Sequence, residues 1–292
     1  KNMKKYTVMS ADSNPEYLFF VPLACAFWKD LGYNPYVILV DNDDINHNIL
    51  DLVLETSKNV GAHVNHFKHI SGYRTSTVAQ ISRLFAAADP LFKDDDYIIT
   101  DDIDKFVISY PWFNQQNFSK DIHIFDIDET NYTRLKIGYI GMQARIWKEV
   151  MNVSDSSLGE NVEKCLEEHL SKDSYKNGQR LSQFEKERDD AWNLDEYLLT
   201  KSVFNSQYYP DKCQMIERGG NHLGLRNGRI DRTFWKETMS MYLRAQLIDV
   251  HLHRDPYQDW MWKDIKLIMS TVFSPKEIET FQEYKDKFVE LL

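Results

Sequence analysis

Cysteine is scarce: Cys25, Cys165 and Cys213 are the three thiols in 292 residues. They lie far apart, are odd in number and form no Cys-x-x-Cys pair. That argues against a zinc site or a disulfide framework and favours a reducing compartment, so the cytoplasm is the expected location. Long apolar runs are missing too. No stretch reaches the roughly 18 apolar residues of a membrane-spanning helix, and no transmembrane segment is expected. Tyr17 to Trp28 is apolar but is closed by Lys29-Asp30, as in a buried helix rather than a signal peptide. Positive charge is in deficit, with 35 Lys and Arg against 45 Asp and Glu and a net charge of −10. A general nucleic-acid binder needs a basic face to neutralise phosphates, so no nucleic-acid partner is expected. A small anion held through a divalent cation on carboxylates stays compatible with this balance. Gly-rich phosphate motifs are also absent. No GxGxxG follows the first strand, which disfavours a dinucleotide dehydrogenase, and no GxxxxGK[ST] occurs, which disfavours a P-loop enzyme.

What is present is ordinary for a globular chain, with 42% hydrophobic and 27% charged residues. A chain of this length buries a sizeable core without disulfides. Aromatics are abundant, at seven Trp and sixteen Tyr. Such rings fill cores more often than they line sugar sites.

The first hundred residues alternate between two periods. Tyr6 to Ser10 reads as a strand, and Asn14-Pro15 opens a helix that ends at Gly32. Tyr36 to Val40 is apolar throughout, as in a buried parallel strand. A helix over about 46–58, a strand near 62–67, a helix over 76–88 and a strand at Tyr97 to Thr100 follow. This βαβαβαβ order predicts an α/β fold with a mostly parallel central sheet flanked by helices. Farther on, 122–127 and 136–142 read as strands and 144–150 as a short helix. Helices are expected near 158–170 and 194–203, with a loop over 172–190 between them. Two amphipathic stretches, Trp260 to Met269 and Pro275 to Leu291, close the chain. There is no repeat, low-complexity tract or clear linker. The expected organisation is one catalytic domain over 1–255, with a helical C-terminal extension over 256–292 packed on it.

The acidic string around the fourth strand carries the chemistry. Asp94 to Asp96 precede it and read as a solvated turn. Asp102-Ile103-Asp104 follow it, where ligands of open α/β sheets bind. On an extended backbone both carboxylates face one site and hold Mg²⁺ or Mn²⁺, hard ions that leave positions open for phosphate. A solvated acidic turn is the bland alternative.

Arg83-Leu-Phe, some twenty residues before Tyr-Ile-Ile-Thr-Asp-Asp102-Ile-Asp104, resembles the arrangement in GT-A glycosyltransferases related to glycosyltransferase family 8. The resemblance implies a GT-A, Rossmann-like fold and metal ligation by Asp102 and Asp104, with contact from Asp102 to the nucleotide. Arg83 would support the donor site; otherwise it is a surface residue in a salt bridge. Ile137-Gly138-Tyr-Ile-Gly141-Met142 is similar to the strand before the acceptor-side helix, and its glycines would admit the donor sugar. A bulge or tight turn is the plain alternative. Trp192-Asn-Leu-Asp195-Glu196 resembles the acidic pair that opens a helix beside the sugar. These two residues are expected to bind sugar hydroxyls or deprotonate the acceptor, with helix capping as the rival. His222-Leu-Gly224 is similar to the start of the family's C-terminal motif, whose histidine completes the metal site. The family's later Lys-Pro-Trp is absent, so Arg226 or Arg229 is expected to meet the diphosphate. His251, in His251-Leu-His253, is the rival histidine and ranks below His222. Ala11 and Asp12 stand where base and ribose are held, and Tyr17 or Tyr73 can stack on the base, with core or surface roles at least as well supported.

The expected function is transfer of a sugar from a nucleoside-diphosphate sugar, with UDP favoured, to a hydroxyl of a carbohydrate or glycoconjugate. Metal assistance comes through the DxD motif, and the likeness tilts slightly towards retention. Two alternatives stay open: a nucleotidyltransferase acting on a sugar phosphate, and a non-catalytic carbohydrate-binding protein with a degenerate fold.

Overall fold

The computed structural model describes residues 3–41, 45–127, 134–170, 193–218, 227–242 and 247–292. Its centre is a seven-stranded sheet in the order β3-β2-β1-β4-β7-β6-β8. The strands are β1 (Lys5–Ala11), β2 (Asn34–Asp41), β3 (His63–Lys68), β4 (Tyr97–Thr100), β6 (Ile122–Ile127), β7 (Ile140–Gln143) and β8 (Cys213–Glu217). Only β7 runs against the others. The mostly parallel α/β architecture expected from the alternating periods is therefore present.

Helices α1 (Pro15–Asp30) and α2 (His47–Val60) cover one face, together with the C-terminal α9 (Asp259–Met269) and α10 (Pro275–Leu291). Asn14 caps α1 by accepting from Glu16 N–H, with Pro15 at the first turn, as the sequence signal implied. Phe19 packs against Trp262, Tyr284 and Phe288, so the last two helices share a core with α1. The other face carries α3 (Thr75–Ser82), α5 (Ala144–Val150), α6 (Leu158–His169) and α7 (Leu194–Phe204). Strand residues divide between the two cores by alternation: Tyr36, Ile38 and Val40 face one, Val37 and Leu39 the other. A small sheet joins β5 (Lys105–Val107), β10 (Asp249–His251) and β9 (Arg229–Asp231). Short helices α4 (Tyr110–Phe113) and α8 (Trp235–Tyr242) complete the elements used here.

Three details depart from the expectation. The helix over 76–88 is α-helical only to Ser82; Arg83–Ala88 is a tighter 3₁₀ turn. The strand over 136–142 begins only at Ile140. Before it, Thr100 Oγ1 donates to Ile137 O, and Tyr139 is pinned at φ +72 by donating its N–H to Thr100 O. Asp96 is buried, not solvated; its carboxylate accepts from Lys4 and Lys93 N–H. The loop over 172–190 lies outside the described residues.

A buried charge cluster ties the large sheet to the small one. Asp249 accepts from Arg218 Nη1 and Nη2 at 2.8 Å, from Arg229 Nε at 2.9 Å and from Tyr139 Oη at 2.6 Å. A bulge in β6 places Asp126 at φ +62, where it takes Arg218 Nε at 2.9 Å. Burial opposes the charge on Asp249, but Arg218 and Arg229 outweigh it and hold the carboxyl well below its ordinary range. Removing one member strands the others. Asp249→Asn is expected to cost about 3–5 kcal/mol in a denaturant melt, and an unchanged midpoint would refute this role.

Candidate active site

Strand order reverses between β1 and β4, and an open α/β sheet binds ligands in the crevice beyond the strands' carboxyl ends at such a point. A pocket of about 240 Å³ lies there. Its walls include Ser10, Ala11 and Asp12 after β1, Asp102 to Asp104 after β4, Arg83, Asp195 and Glu196, and Arg232 and His251. A larger groove of about 520 Å³ runs between α1, α2 and α10, with scattered charges on its rim. Converging carboxylates and cations, not volume, mark the first as the site.

Arg83 organises it. The 3₁₀ turn carries this side chain inward, where it is 4% exposed. Nη1 donates to Asp101 O at 2.9 Å and to Asp102 Oδ1 at 2.6 Å, and Nη2 donates to Asp195 Oδ2 at 2.9 Å. Burial works against the guanidinium charge, yet Asp102 and Asp195 more than restore it. Arg83 is thus a buried bridge and not a surface salt bridge.

Asp102 and Asp104 sit in a turn after β4, closed by Lys105 N–H on Asp102 O, and not on extended backbone. The turn still aims both at the pocket. Lys105 Nζ reaches Asp102 Oδ2 at 2.7 Å and lies 4.9 Å over the Tyr139 ring. Burial penalises the Asp102 charge, but Lys105 and Arg83 outweigh it, so the carboxylate stays ionised far below its usual range. Asp104 meets Arg232 at 2.9 Å and His251 Nε2 at 3.6 Å, while His251 Nδ1 faces Asp231 at 3.6 Å. Despite the cost of burial, Asp104 and Asp231 push the His251 pKa up. Asp101 is fully buried, accepts from Trp28 Nε1, and is pushed up to about 8 by burial, so it stands behind the site and not in it.

The acidic pair divides its work. Asp195 has both oxygens engaged, by Arg83 and by Glu196 N–H, and is 3% exposed. It holds Arg83 from the first turn of α7, with its other oxygen on the Glu196 N–H, so both oxygens already accept from the protein. Glu196 is more accessible; Arg134 Nε lies 3.0 Å from it, and burial, then Asp195, raises its pKa. Ala11, Asp12 and Tyr17 line the pocket, and burial raises the Asp12 pKa.

For Arg229 and Gly141 the expected placement fails. Arg229 is locked to Asp249 and Asp126 and is 2% exposed, so it meets no diphosphate. Gly141 is paired in mid-sheet with Ile99 and His123, and a side chain there would overlap the Tyr97 ring, so it serves packing and not the donor. Tyr73 is buried in the second core. His222, Gly224 and Arg226 lie outside the described residues. Among the described residues, the histidine that reaches Asp104 is His251. Sequence reading missed Lys105 and Arg232. Lys105 carried a weak signal, a cation three positions after Asp102; Arg232 carried none, because only the β9–β10 pairing brings it to Asp104.

No family model matches the chain, and no curated protein matches it. Solved structures do. One is the glycosyltransferase GlyE of Streptococcus pneumoniae TIGR4, at TM-score 0.50 and 11% identity, covering 99% of this chain and 64% of that one. Galactosyltransferase LgtC, in complex with donor and acceptor sugar analogs, aligns at TM-score 0.47 and 13% identity over 94% of this chain and 99% of its own. The bifunctional glycosyltransferase WbbM aligns at TM-score 0.43 and 12% identity over 97% of this chain and 52% of its own. At such identities the likeness is one of fold. The chain has the GT-A type of architecture seen in glycosyltransferases.

Two glycines separate packing from function. A methyl on Gly138 would overlap Lys105 Nζ and push it off Asp102. Gly138→Ala is expected to weaken nucleotide binding at least about tenfold, one factor-of-ten step in binding free energy. Gly141→Ala is expected to lower stability by about 1–3 kcal/mol through overpacking and to leave nucleotide affinity unchanged. Calorimetric titration and thermal melts of both variants check this, and the reverse pattern would reject the assignment.

Proposed function

We propose that the chain is a glycosyltransferase that takes a sugar from a nucleoside-diphosphate sugar, with a UDP-sugar favoured, and passes it to a hydroxyl of a carbohydrate or glycoconjugate. The observation that carries this reading is the gathering of Asp102, Asp104, Arg83, Glu196 and His251 in one pocket at the sheet's switch point. The UDP preference rests on the family resemblance.

The donor set fits a divalent cation in kind. Asp102, Asp104 and His251 offer two carboxylates and an imidazole, which suit Mn²⁺ or Mg²⁺. Asp231 at Nδ1 is the outer carboxylate that orients a ligating histidine. Among the described residues, however, no three such groups are already arranged as a cation site. Arg83 and Lys105 cover Asp102, and Arg232 covers Asp104. Arg232, 33% exposed, would have to yield its Asp104 oxygen. When bound, the cation would offset charge on the leaving diphosphate.

The chain's own residues do the remaining work. Ser10, Ala11, Asp12 and Tyr17 would hold the nucleoside end. Arg232, turned from Asp104, would pair with the diphosphate. Arg83 fixes Asp102 and the first turn of α7 in a single geometry, so little reorganisation is needed as charge develops. Glu196 would hold a sugar hydroxyl, and its raised pKa supports a part in proton exchange with one.

A thermal-shift screen of nucleotide sugars with and without Mn²⁺ tests the reading. A donor at about a hundred times its Kd should stabilise the protein by about 2.7 kcal/mol, a rise of several degrees. The Mn²⁺-dependent part should vanish in Asp104→Asn and in His251→Ala. Silence across all donors would remove the proposal. Pyrophosphate release from a nucleoside triphosphate and a sugar phosphate would favour nucleotidyl transfer instead.

A further inference from the structure

A third pocket opens at the opposite end of the strands, where β4 begins. It measures about 170 Å³ and is lined by Tyr97, Phe118, Lys120, Asp121, His123, Gln143 and Arg145. Nothing in the transfer reading uses it.

Its floor holds buried polar atoms without partners. Tyr97 is fully buried and His123 is 1% exposed. Tyr97 Oη lies near the Gln116 amide and His123 near the Gly141 backbone, but neither contact has hydrogen-bond geometry, so Tyr97 Oη and His123 Nδ1 are unsatisfied. Leaving such atoms unpaired is costly, and native proteins rarely do so. His123 Nε2 is 3.1 Å from Asn117 O, an acceptor only, which assigns the proton to Nε2. Burial lowers the His123 pKa, against the Asn117 and Gly141 backbone, which raise it. Gly141 gives the Tyr97 hydroxyl its place here, since any side chain would fill it.

The walls are mixed. Asp121 is paired only loosely, 3.9 Å from Arg145 Nη2 and 3.7 Å from Lys212 Nζ, and so keeps accepting capacity. Arg145 and Lys120 add donors. Phe118 is 47% exposed, with its ring set edge-to-face against Tyr97 and His123.

A ligand for this set must donate to Asp121, accept from Arg145 and Lys120, and lay an apolar face on Phe118. A sugar ring does all three, because each hydroxyl both donates and accepts while ring C–H groups form an apolar face. A phosphate or carboxylate would meet the Asp121 charge and has no proton to donate to it. The volume equals about six waters at roughly 30 Å³ each. That suits one monosaccharide unit, whereas nucleotide-sized ligands need more room. We propose that this pocket binds a single sugar unit, separately from the transfer site and independently of whether transfer occurs.

The test is titration of the full chain with a panel of free monosaccharides, followed by ligand-observed NMR, on three proteins: wild type, Asp102→Asn/Asp104→Asn and Phe118→Ala. One sugar class is expected to bind with a Kd of about 1 mM, the weak end of specific recognition. Binding should persist in the double variant and weaken at least about tenfold in Phe118→Ala. Because Phe118 is partly exposed, its melting midpoint should hold, and Asp121→Asn gives a second check should it fall. Absence of binding to wild type overturns the proposal. So does binding that survives Phe118→Ala and Asp121→Asn yet vanishes in the double variant, which would locate it in the transfer pocket. Displacement of the sugar by inorganic phosphate would overturn the sugar assignment.

Discussion

The Arg83 guanidinium is the contact on which the rest of the site depends. It is buried, so its charge persists only because Asp102 and Asp195 face it. In return it fixes two segments that are far apart in the chain. One is the turn after β4, gripped through Asp102 and the Asp101 carbonyl. The other is the start of α7, gripped through Asp195. A lysine could not span these three acceptors, since a point charge lacks the planar fork that meets several oxygens at once.

A second buried cluster around Asp249 backs the first. Tyr139 links them: its hydroxyl donates to Asp249, and its ring lies beneath Lys105, which holds the outer oxygen of Asp102. The backbone before β7 is thus held by the same residue that supports the pocket wall. This explains why Tyr139 tolerates a left-handed conformation, because hydrogen bonds at both its backbone and its hydroxyl over-determine it.

These networks give the pocket its electrostatic character. Asp102 and Asp104 remain ionised despite burial because cations sit directly on them. Asp101, one residue away, is pushed the other way by burial. Adjacent carboxylates are therefore shifted in opposite directions, set by whether a cation outweighs desolvation.

The sheet and its helices were legible because they rest on local signals. Alternating apolar periods, the Asn14-Pro15 start and the Asp102-Ile103-Asp104 string after a buried strand are readable within short windows, and each stands close to where it was expected. Arg83 and Asp195 were named from resemblance, but only packing showed that they bind each other. Arg229 could not be judged from sequence, since its distance from the pocket follows from Asp126 and Asp249, which reach it through a β6 bulge and a separate sheet. Lys105, Arg232 and His251 join the site through the turn after β4 and the pairing of β5, β9 and β10. Sequence alone determined the fold class, the motif and the edge of the sheet that carries it, because those follow from periodicity and strand order. Tertiary structure decided which charges meet, because a buried ion takes whatever partner long-range packing brings within reach.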